Sequence, residues 1–558
     1  MGVHAHDERV GPGGRGGDDE SAVTGADVDD YGPAAGGEGS ESADVELDEP
    51  AAAQDAHRHI VASCPPGPPG RLLVASMGMR YRALASDYDG TLATHGVVAR
   101  ATIEALERLR RSGRRVVLVT GRLLPDLEAV FPHLDLCDRV VAENGAVVHL
   151  PRERRTTALA GAPDPRFLEA LRERGVPFGA GEVIVATGQP HDQAVLAAIR
   201  ELGLDLHIVF NKGAVMVLPA GVSKATGLDA ALRDLGLSAR NAVGVGDAEN
   251  DHAFLERCEL SAAVANALPA VRDRADVVLE HAHGEGVAEL IDLILRDDLA
   301  GTTARASRLR LSLGADVRGG EVAVPPSSHG FLVAGPSATG KSTLATAFVE
   351  QLAGRGYQFC VIDPEGDYER LAGSAVVGDP DRPPAPPEVL RLLDQAGQDV
   401  VVNLLGVPIQ DRPGFVAGFL PALLALRKRT GRPHWLVVDE AHHVLPEAEP
   451  GLLPADEDLP GLLLLTVHPD RVATDVLRWT DGIVVFGDGA EHTVAAYARV
   501  QGLRAPEAWL DRAEGDVPGW WKDGGPFALR PSPPAGERLR VRSGGPCGSP
   551  RGHVDHPC

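Results

Sequence analysis

The sequence predicts an α/β protein built of two three-layer domains, the first carrying a smaller α/β insert, with disordered segments at both ends. Short apolar runs alternate with amphipathic helical stretches from residue 80 to about 298, and again from about 326 to 532. In both regions polar signatures follow directly on the apolar runs, along the edge where open α/β sheets gather their ligands. Length agrees: 558 residues allow roughly three or four domains. A hydrophobic content of 44% is enough for ordinary cores.

Residues 1–78 are rich in Gly, Ala, Pro, Asp and Glu and close near Pro65-Pro66-Gly67-Pro68-Pro69-Gly70. Such a segment buries too little apolar surface to offset its ordering entropy, so disorder is expected, and Met77 or Met79 is expected to be the natural start. An apolar strand from Tyr81 to Ser86 follows, then a helix over Thr102–Arg111 and a strand over Arg115–Thr120. The texture changes between about 150 and 218. Helices near Pro165–Arg174 and His191–Leu202 alternate there with strands near Val183–Thr187 and His207–Asn211, which marks the insert. The first pattern resumes with a strand over Ala242–Gly246 and a helix near His252–Arg257. Residues 299–325 shift to Arg and Gly and are expected to join the two halves. The second alternation runs through strand Gly330–Gly335, helix Lys341–Ala353, and strands Phe359–Asp363, Asp399–Asn403, Trp435–Asp439 and Gly461–Val467. From 533 to 558 the chain returns to Pro, Gly, Arg and Ser, and little order is expected.

The formal charge of −25 is unevenly spread, since residues 1–60 hold 15 Asp or Glu against Arg9, Arg15 and Arg58. The acidity is partly a property of the tail and says little about partners of the body. Six scattered cysteines form no C-x-x-C pair, so neither zinc nor a disulfide framework is indicated. No apolar run reaches the ~18–20 residues that span a bilayer, and the acidic start does not fit a secretory signal. A cytoplasmic enzyme is the expectation. Among 54 Lys and Arg only five are Lys: Lys212, Lys224, Lys341, Lys428 and Lys522. Two of them, Lys224 and Lys341, fall in the signatures below, where a compact ammonium and a planar guanidinium are not interchangeable.

Asp87-Tyr88-Asp89-Gly90-Thr91 ends the first strand, so both carboxylates emerge at its carboxyl edge and converge as the strand gives way at Gly90. Thr120-Gly121-Arg122 ends the next strand, and Asp247 and Asp251 follow a third. Carboxylates gathered there would repel one another unless a divalent cation sat among them, and Mg²⁺ prefers such hard oxygen ligands. Lys224 opens a helix after Gly221-Val222-Ser223 and can neutralise negative oxygens. Asp-x-Asp-Gly alone is equally a turn; four ordered motifs at strand ends outweigh that reading. Lys212 reads as a solvated loop charge and Glu143 as a turn or helix-cap residue.

Together with Glu143-Asn144-Gly145-Ala146 and Ala265-Asn266-Ala267, these motifs resemble the haloacid dehalogenase (HAD) superfamily over about 80–298. The position of the insert is similar to that of its Cof-like, type IIB branch. The resemblance implies a Rossmann-like core with a cap, Mg²⁺ as cofactor, and a small phosphorylated metabolite, of the sugar phosphate or phosphoglycolate class, as substrate. It makes Asp87 the nucleophile that forms an aspartyl-phosphate, and Asp89 the acid/base. Thr120, Gly121 and Asn250 would surround the substrate phosphate with Lys224, while Asp87, Asp247, Asp251 and, through its backbone carbonyl, Asp89 would hold the metal.

Gly335-Pro336-Ser337-Ala338-Thr339-Gly340-Lys341-Ser342 lies between an apolar strand and a helix, the context a P-loop requires. Backbone groups of Gly335 and of Ser337 through Thr343 would cradle the phosphates of ATP, Lys341 would reach the terminal ones, and Ser342 with Asp439 would bind Mg²⁺. Glu440, beside Asp439, is placed to polarise an attacking water. The strand near 399–403, expected as an extra strand between the P-loop strand and the strand ending at Asp439, and the stretch Asp363-Pro364-Glu365-Gly366-Asp367-Tyr368 resemble additional-strand P-loop ATPases, in particular HerA/FtsK-like ones, over about 325–500. Departures are the lack of an N-terminal barrel and of an assignable arginine finger. Thr466 and His468 are each open as a polar sensor, against a core-edge Thr or a surface His. Arg427-Lys428-Arg429 with Arg432 reads first as a solvated helix end and second as a contact to nucleic-acid phosphates. Trp520-Trp521 reads first as packing and second as a base-stacking platform.

A bifunctional enzyme is therefore expected: a Mg²⁺-dependent phosphatase fused to an ATPase. The alternative is a HerA-like translocase stimulated by nucleic acid, with the phosphatase as an accessory; a kinase acting on a small acceptor is the third reading. Nucleic acid and self-association through the ATPase domain stay open as partners without being indicated, and no membrane is.

Overall fold

In the computed structural model the described residues are 79–534, except 212, 300–308, 318, 327–329, 449–460, 510–512 and 514. The expectations for the two tails and for Lys212 lie outside them, apart from the last few residues before 535.

The first half holds β1 (Ala83–Ser86), β2 (Arg115–Val119), β3 (Arg139–Ala142), β4 (Val147–Leu150) and β5 (Arg155–Ala158) before its insert. The insert contains β6 (Gly179–Ala180), β7 (Val185–Gly188), β8 (Leu206–Asn211) and β9 (Ala214–Pro219); β10 (Ala242–Gly246), β11 (Leu260–Ala263) and β12 (Val277–Val278) follow it. The core sheet runs β12-β11-β10-β1-β2-β3-β4-β5, parallel from β12 to β3 and antiparallel beyond. Its central strands are buried on both faces, which is why they read as continuous apolar runs. The helix Arg100–Arg111 packs Thr102, Ala105, Leu106 and Leu109 inward and ends on basic residues before Gly113, whose φ is +91°. Strand order reverses at β1, which pairs with β2 on one side and β10 on the other. Such a switch point opens a crevice at the carboxyl ends of the strands.

The insert is a four-stranded antiparallel sheet, β6-β7-β9-β8. Its helices Pro165–Glu173 and Asp192–Leu202 share with it a small core of Phe167, Leu171, Val185, Val195 and Val217. The expected lower boundary near 150 is corrected. The hairpin β4–β5 pairs with β3 and completes the core sheet, so the insert's own elements begin at Pro165.

The second half contributes β13 (Leu311–Asp316), β14 (Glu321–Val324), β15 (Gly330–Ala334), β16 (Phe359–Asp363), β17 (Ser374–Val377) and β18 (Asp399–Asn403). It continues with β19 (Trp435–Val438), β20 (Leu462–Thr466), β21 (Gly482–Val485), β22 (Val517–Trp521) and β23 (Gly525–Pro531). Eleven strands form one sheet in the order β14-β13-β23-β22-β21-β15-β20-β19-β16-β18-β17. Two apolar clusters pack against it, one around Phe419, Leu423 and Leu464, the other around Phe331, Phe348 and Trp435. Two expectations change. The joining segment 299–325 is not all linker: β13 and β14 make an antiparallel extension with β22 and β23, and Leu311 and Leu313 are buried in it. The strand at 399–403 lies outside β16, and β20 is the strand between β15 and β19.

The halves meet through residues that precede their strands. Asn241, Glu259, Gln358 and His434 stand directly before β10, β11, β16 and β19. Tyr357 donates to Glu259 Oε2 at 2.6 Å, Arg80 bonds to Glu259 Oε1, and Arg240 Nε donates to the Arg355 carbonyl at 2.7 Å. Arg432, 0% exposed, donates to the Gly236 carbonyl at 2.8 Å. Both readings of the basic run are thereby corrected at Arg432, which is neither solvated nor available to a phosphate. The contact uses the amino ends of the parallel strands and leaves their carboxyl ends for chemistry.

Candidate active site

Asp87 follows β1, Asp247 follows β10, and Asp251 stands four residues on; they are 4%, 3% and 0% exposed. One carboxylate oxygen from each lies within 4.8 Å of the others. Lys224 Nζ donates to Asp87 Oδ1 and to Asp251 Oδ1, each at 2.6 Å. A capping box places this lysine: Ser223 Oγ accepts from Thr226 N and Thr226 Oγ1 accepts from Ser223 N. Asp251 Oδ2 accepts the backbone N–H groups of Asp247 and Ala248, both at 2.9 Å. Asp251 is thus held from both oxygens and orients the loop that carries Asp247. Thr91 Oγ1 donates to Asp247 Oδ1 at 3.0 Å, and Asn266 Nδ2 to the Gly90 carbonyl at 2.8 Å.

Burial, then Asp251, pushes the Asp87 carboxyl well above the ordinary value, against the pull of Lys224. Burial would lower Lys224, but Asp251 and Asp87 outweigh it and hold the ammonium above its ordinary value. Two of the three buried carboxylates therefore bind the one buried ammonium, and Asp247 stands beside them without it. That excess of negative charge, on hard oxygen donors, fits a divalent cation such as Mg²⁺.

Thr120, at the end of β2, is 0% exposed; its carbonyl accepts from Asn144 N at 3.0 Å, and its Oγ1 from Arg122 N at 3.1 Å. Gly121 lies under the insert: a Cβ there would meet Met216 Sδ at 3.3 Å. Asn250 Nδ2 donates to Asn144 Oδ1 at 3.3 Å. The structure brings Asp87, Thr120, Gly121, Lys224, Asp247, Asn250 and Asp251 to one edge. It leaves the Asp89 side chain outside the metal-competent group. That carboxylate is 36% exposed and clasped by Arg122, Nε to Oδ2 and NH2 to Oδ1, both at 2.7 Å; the metal role expected of Asp89 belongs to its backbone carbonyl. Sequence reasoning missed Arg122, Thr91 and Asn144. Arg122 was visible as the residue after Thr120-Gly121, but its partner was not.

In the second half, the loop between β15 and the helix Lys341–Gly354 turns through left-handed residues: φ is +144° at Gly335, +63° at Ala338 and +115° at Gly340. A Cβ at Gly335 would meet the Phe486 carbonyl at 2.4 Å, so only glycine fits there. Lys341, 4% exposed, donates to the Pro336 carbonyl at 3.0 Å, and Thr339 Oγ1 to the same oxygen at 2.8 Å. Ser342 and Thr343 open the helix. Asp439 follows β19, where burial pushes its carboxyl up to about 7. Glu440 sits in a left-handed conformation (φ +42°), raised by burial. Its Oε2 lies 3.3 Å from His442 Nδ1. Burial, with His443 and His468 near, lowers His442 to about 4, so this is no ion pair at neutral pH, and Nδ1 meets Thr466 Oγ1 at 3.0 Å instead. Thr466, 0% exposed at the end of β20, also accepts from His468 N.

A family model for haloacid dehalogenase-like hydrolases matches residues 84–161 and 210–291, either side of most of the insert. A phosphoglycolate phosphatase of Methanothermobacter thermautotrophicus is 33% identical over 220 residues, covering 38% of this chain and 97% of that protein. One from Halorubrum lacusprofundi is 36% identical over 219 residues, with 37% and 95% covered. A solved haloacid dehalogenase-like hydrolase from Bacteroides thetaiotaomicron covers 38% of this chain and 99% of its own, at 18% identity and a TM-score of 0.34. The family model spans Asp87, Lys224 and Asp247, these curated relatives are covered over nearly their whole length, and through its first half the chain belongs to the haloacid dehalogenase-like hydrolase family.

Proposed function

We propose that the first half is a Mg²⁺-dependent phosphatase that hydrolyses a small phosphomonoester through an aspartyl-phosphate on Asp87, and that the second half binds and hydrolyses ATP. The observation that carries the first part is the buried cluster of Asp87, Asp247 and Asp251 around Lys224. Asp87 attacks phosphorus while Lys224 and Thr120 hold the phosphoryl oxygens. Asp87 and Asp247 would hold Mg²⁺, which when bound would supply further positive charge for the transferring group. Asp89 protonates the leaving oxygen and then takes a proton from the water that cleaves the acyl phosphate. Both of its oxygens are occupied by Arg122, so Arg122 must release one as substrate enters. The names of the relatives make phosphoglycolate the first substrate to test.

The ATPase reading is supported by the glycine-shaped loop, by Lys341 and Ser342 at the start of its helix, and by Asp439 and Glu440 one strand beyond β20. A nucleic-acid motor is not favoured, because Arg432 and Arg427 are engaged near the junction of the halves. Asp87→Asn is expected to abolish Mg²⁺-dependent turnover of phosphoglycolate and p-nitrophenyl phosphate while leaving binding of labelled ATP intact; Lys341→Ala is expected to do the reverse. Turnover that survives Asp87→Asn would overturn the phosphatase assignment.

A further inference from the structure

Glu143 has no part in the phosphatase mechanism above, yet it is 1% exposed and its carboxylate is fully engaged. Oε1 accepts the Glu182 N–H at 2.9 Å, and Oε2 accepts those of Val183 at 2.9 Å and Ile184 at 3.2 Å. These amides belong to the insert, in the turn between β6 and β7 that Gly181 N closes on the Ile184 carbonyl at 2.9 Å. A Cβ on Gly181 would lie 2.4 Å from Glu143 Cδ, so the turn wraps the carboxylate with no room for a side chain.

The core side of the same contact is equally constrained. Glu143, Asn144 and Gly145 have φ of +52°, +53° and +102° in succession, a conformation that non-glycine residues hold only when their surroundings impose it. Glu143 N donates to the Arg122 carbonyl at 2.9 Å and Asn144 N to the Thr120 carbonyl at 3.0 Å. Asn144 Oδ1 accepts from Asn250. One short turn therefore ties the insert to the residues around the substrate phosphate and to the arginine that clasps Asp89.

We propose that Glu143 is a cap latch: a positioning residue that holds the insert down over the phosphate site by charge-assisted bonds to three backbone amides. The latch rests on the phosphatase reading for its purpose and on the geometry for its existence. Its test in the full-length chain has two readouts. Hydrogen exchange of Glu143→Ala is expected to speed up at 182–184 while the insert's helices Pro165–Glu173 and Asp192–Leu202 stay as protected as in the unmodified chain. With p-nitrophenyl phosphate, KM is expected to rise about ten-fold with kcat changed much less, because the loss of such bonds is felt in closure over the substrate. Gly181→Ala should raise KM similarly by displacing the carboxylate, and should add nothing in the Glu143→Ala background. Unchanged exchange at 182–184, loss of protection throughout the insert, an unchanged KM, or additive effects of the two substitutions would each overturn the latch. If the unmodified chain turns over neither p-nitrophenyl phosphate nor phosphoglycolate, the phosphatase reading fails, and exchange still decides whether the latch exists.

Discussion

Lys224 stands at the first turn of its helix, the end where peptide dipoles disfavour a cation, and it is buried besides. Two carboxylate oxygens at 2.6 Å reverse both penalties. The same bonds make it the counter-charge that lets Asp87 and Asp251 stay inside. Lys224→Met keeps the volume and removes the charge, leaving two acids buried beside Asp247. We expect a loss of about 3–5 kcal/mol in urea denaturation, as for other broken buried pairs, and a fall in turnover of about 10²-fold or more from lost charge stabilisation. A Lys224→Met chain with unchanged stability would show that the ammonium is not what compensates the acids. Lys224→Arg is expected to recover part of the stability and little of the activity, since a planar fork cannot take the place of one ammonium between two converging oxygens.

The helix that begins at Lys224 also shows where local rules give the wrong sign. Gly227 lies in its interior, where Gly→Ala ordinarily stabilises by about 1 kcal/mol. Here a Cβ would sit 2.5 Å from Val141 Cγ1 and 2.6 Å from Gly145 Cα. The helix rests directly on β3 and on the turn that carries Glu143. Gly227→Ala is therefore expected to destabilise by about 1–3 kcal/mol, as overpacking does, and to lower turnover by lifting Lys224 away from Asp87; a rise in the thermal midpoint would contradict it. The same helix shows what the sequence makes legible. Asp87, Thr120 and Asp247 could be found because each ends an apolar run, and Lys224 because a capping serine precedes it. Glu143 and Arg122 could not be assigned, because their partners come from the insert and from another strand, and no local pattern encodes that meeting. Likewise β13 and β14 hide in an arginine- and glycine-rich stretch because they are short strands of a small antiparallel extension, with only part of their residues buried.

At the largest scale, the two halves meet at the residues just before their parallel strands. His434, just before β19, meets both halves: its Nδ1 accepts the Gln358 N–H at 2.8 Å, and its Nε2 pairs with Asn241 Oδ1 at 3.1 Å. These partners require the neutral ring with the proton on Nε2. Burial, and then Arg432, Arg427, Arg240 and Arg80 around it, hold its pKa well below the ordinary histidine value. Tyr357, edge-on at 5.5 Å between ring centroids, offers no negative charge in return, because its hydroxyl is bound to Glu259 and its pKa is raised. The folded-state pKa is thus lower than the unfolded value of about 6.5. The contribution of His434 is complete above that value and is lost as pH falls below it, since the unfolded chain takes up the proton first. A single such group gives a slope of up to about 1.4 kcal/mol per pH unit. Asp399 and Asp363, each pushed up to about 6 by burial, and Asp439, pushed up to about 7, work in the opposite direction and gain on acidification, while His442, lowered to about 4, acts with His434, so the raw pH profile of the chain mixes them. The difference between the unmodified chain and His434→Gln separates them. Between pH 7.5 and 5.5, the unmodified chain is expected to lose stability relative to the variant, with the deficit growing steadily below about 6.5, read as the thermal midpoint together with small-angle scattering to follow separation of the halves. Parallel profiles would mean that His434 takes its proton as readily in the folded chain as in the unfolded one, and that the arginines around it do not hold the junction in its neutral form.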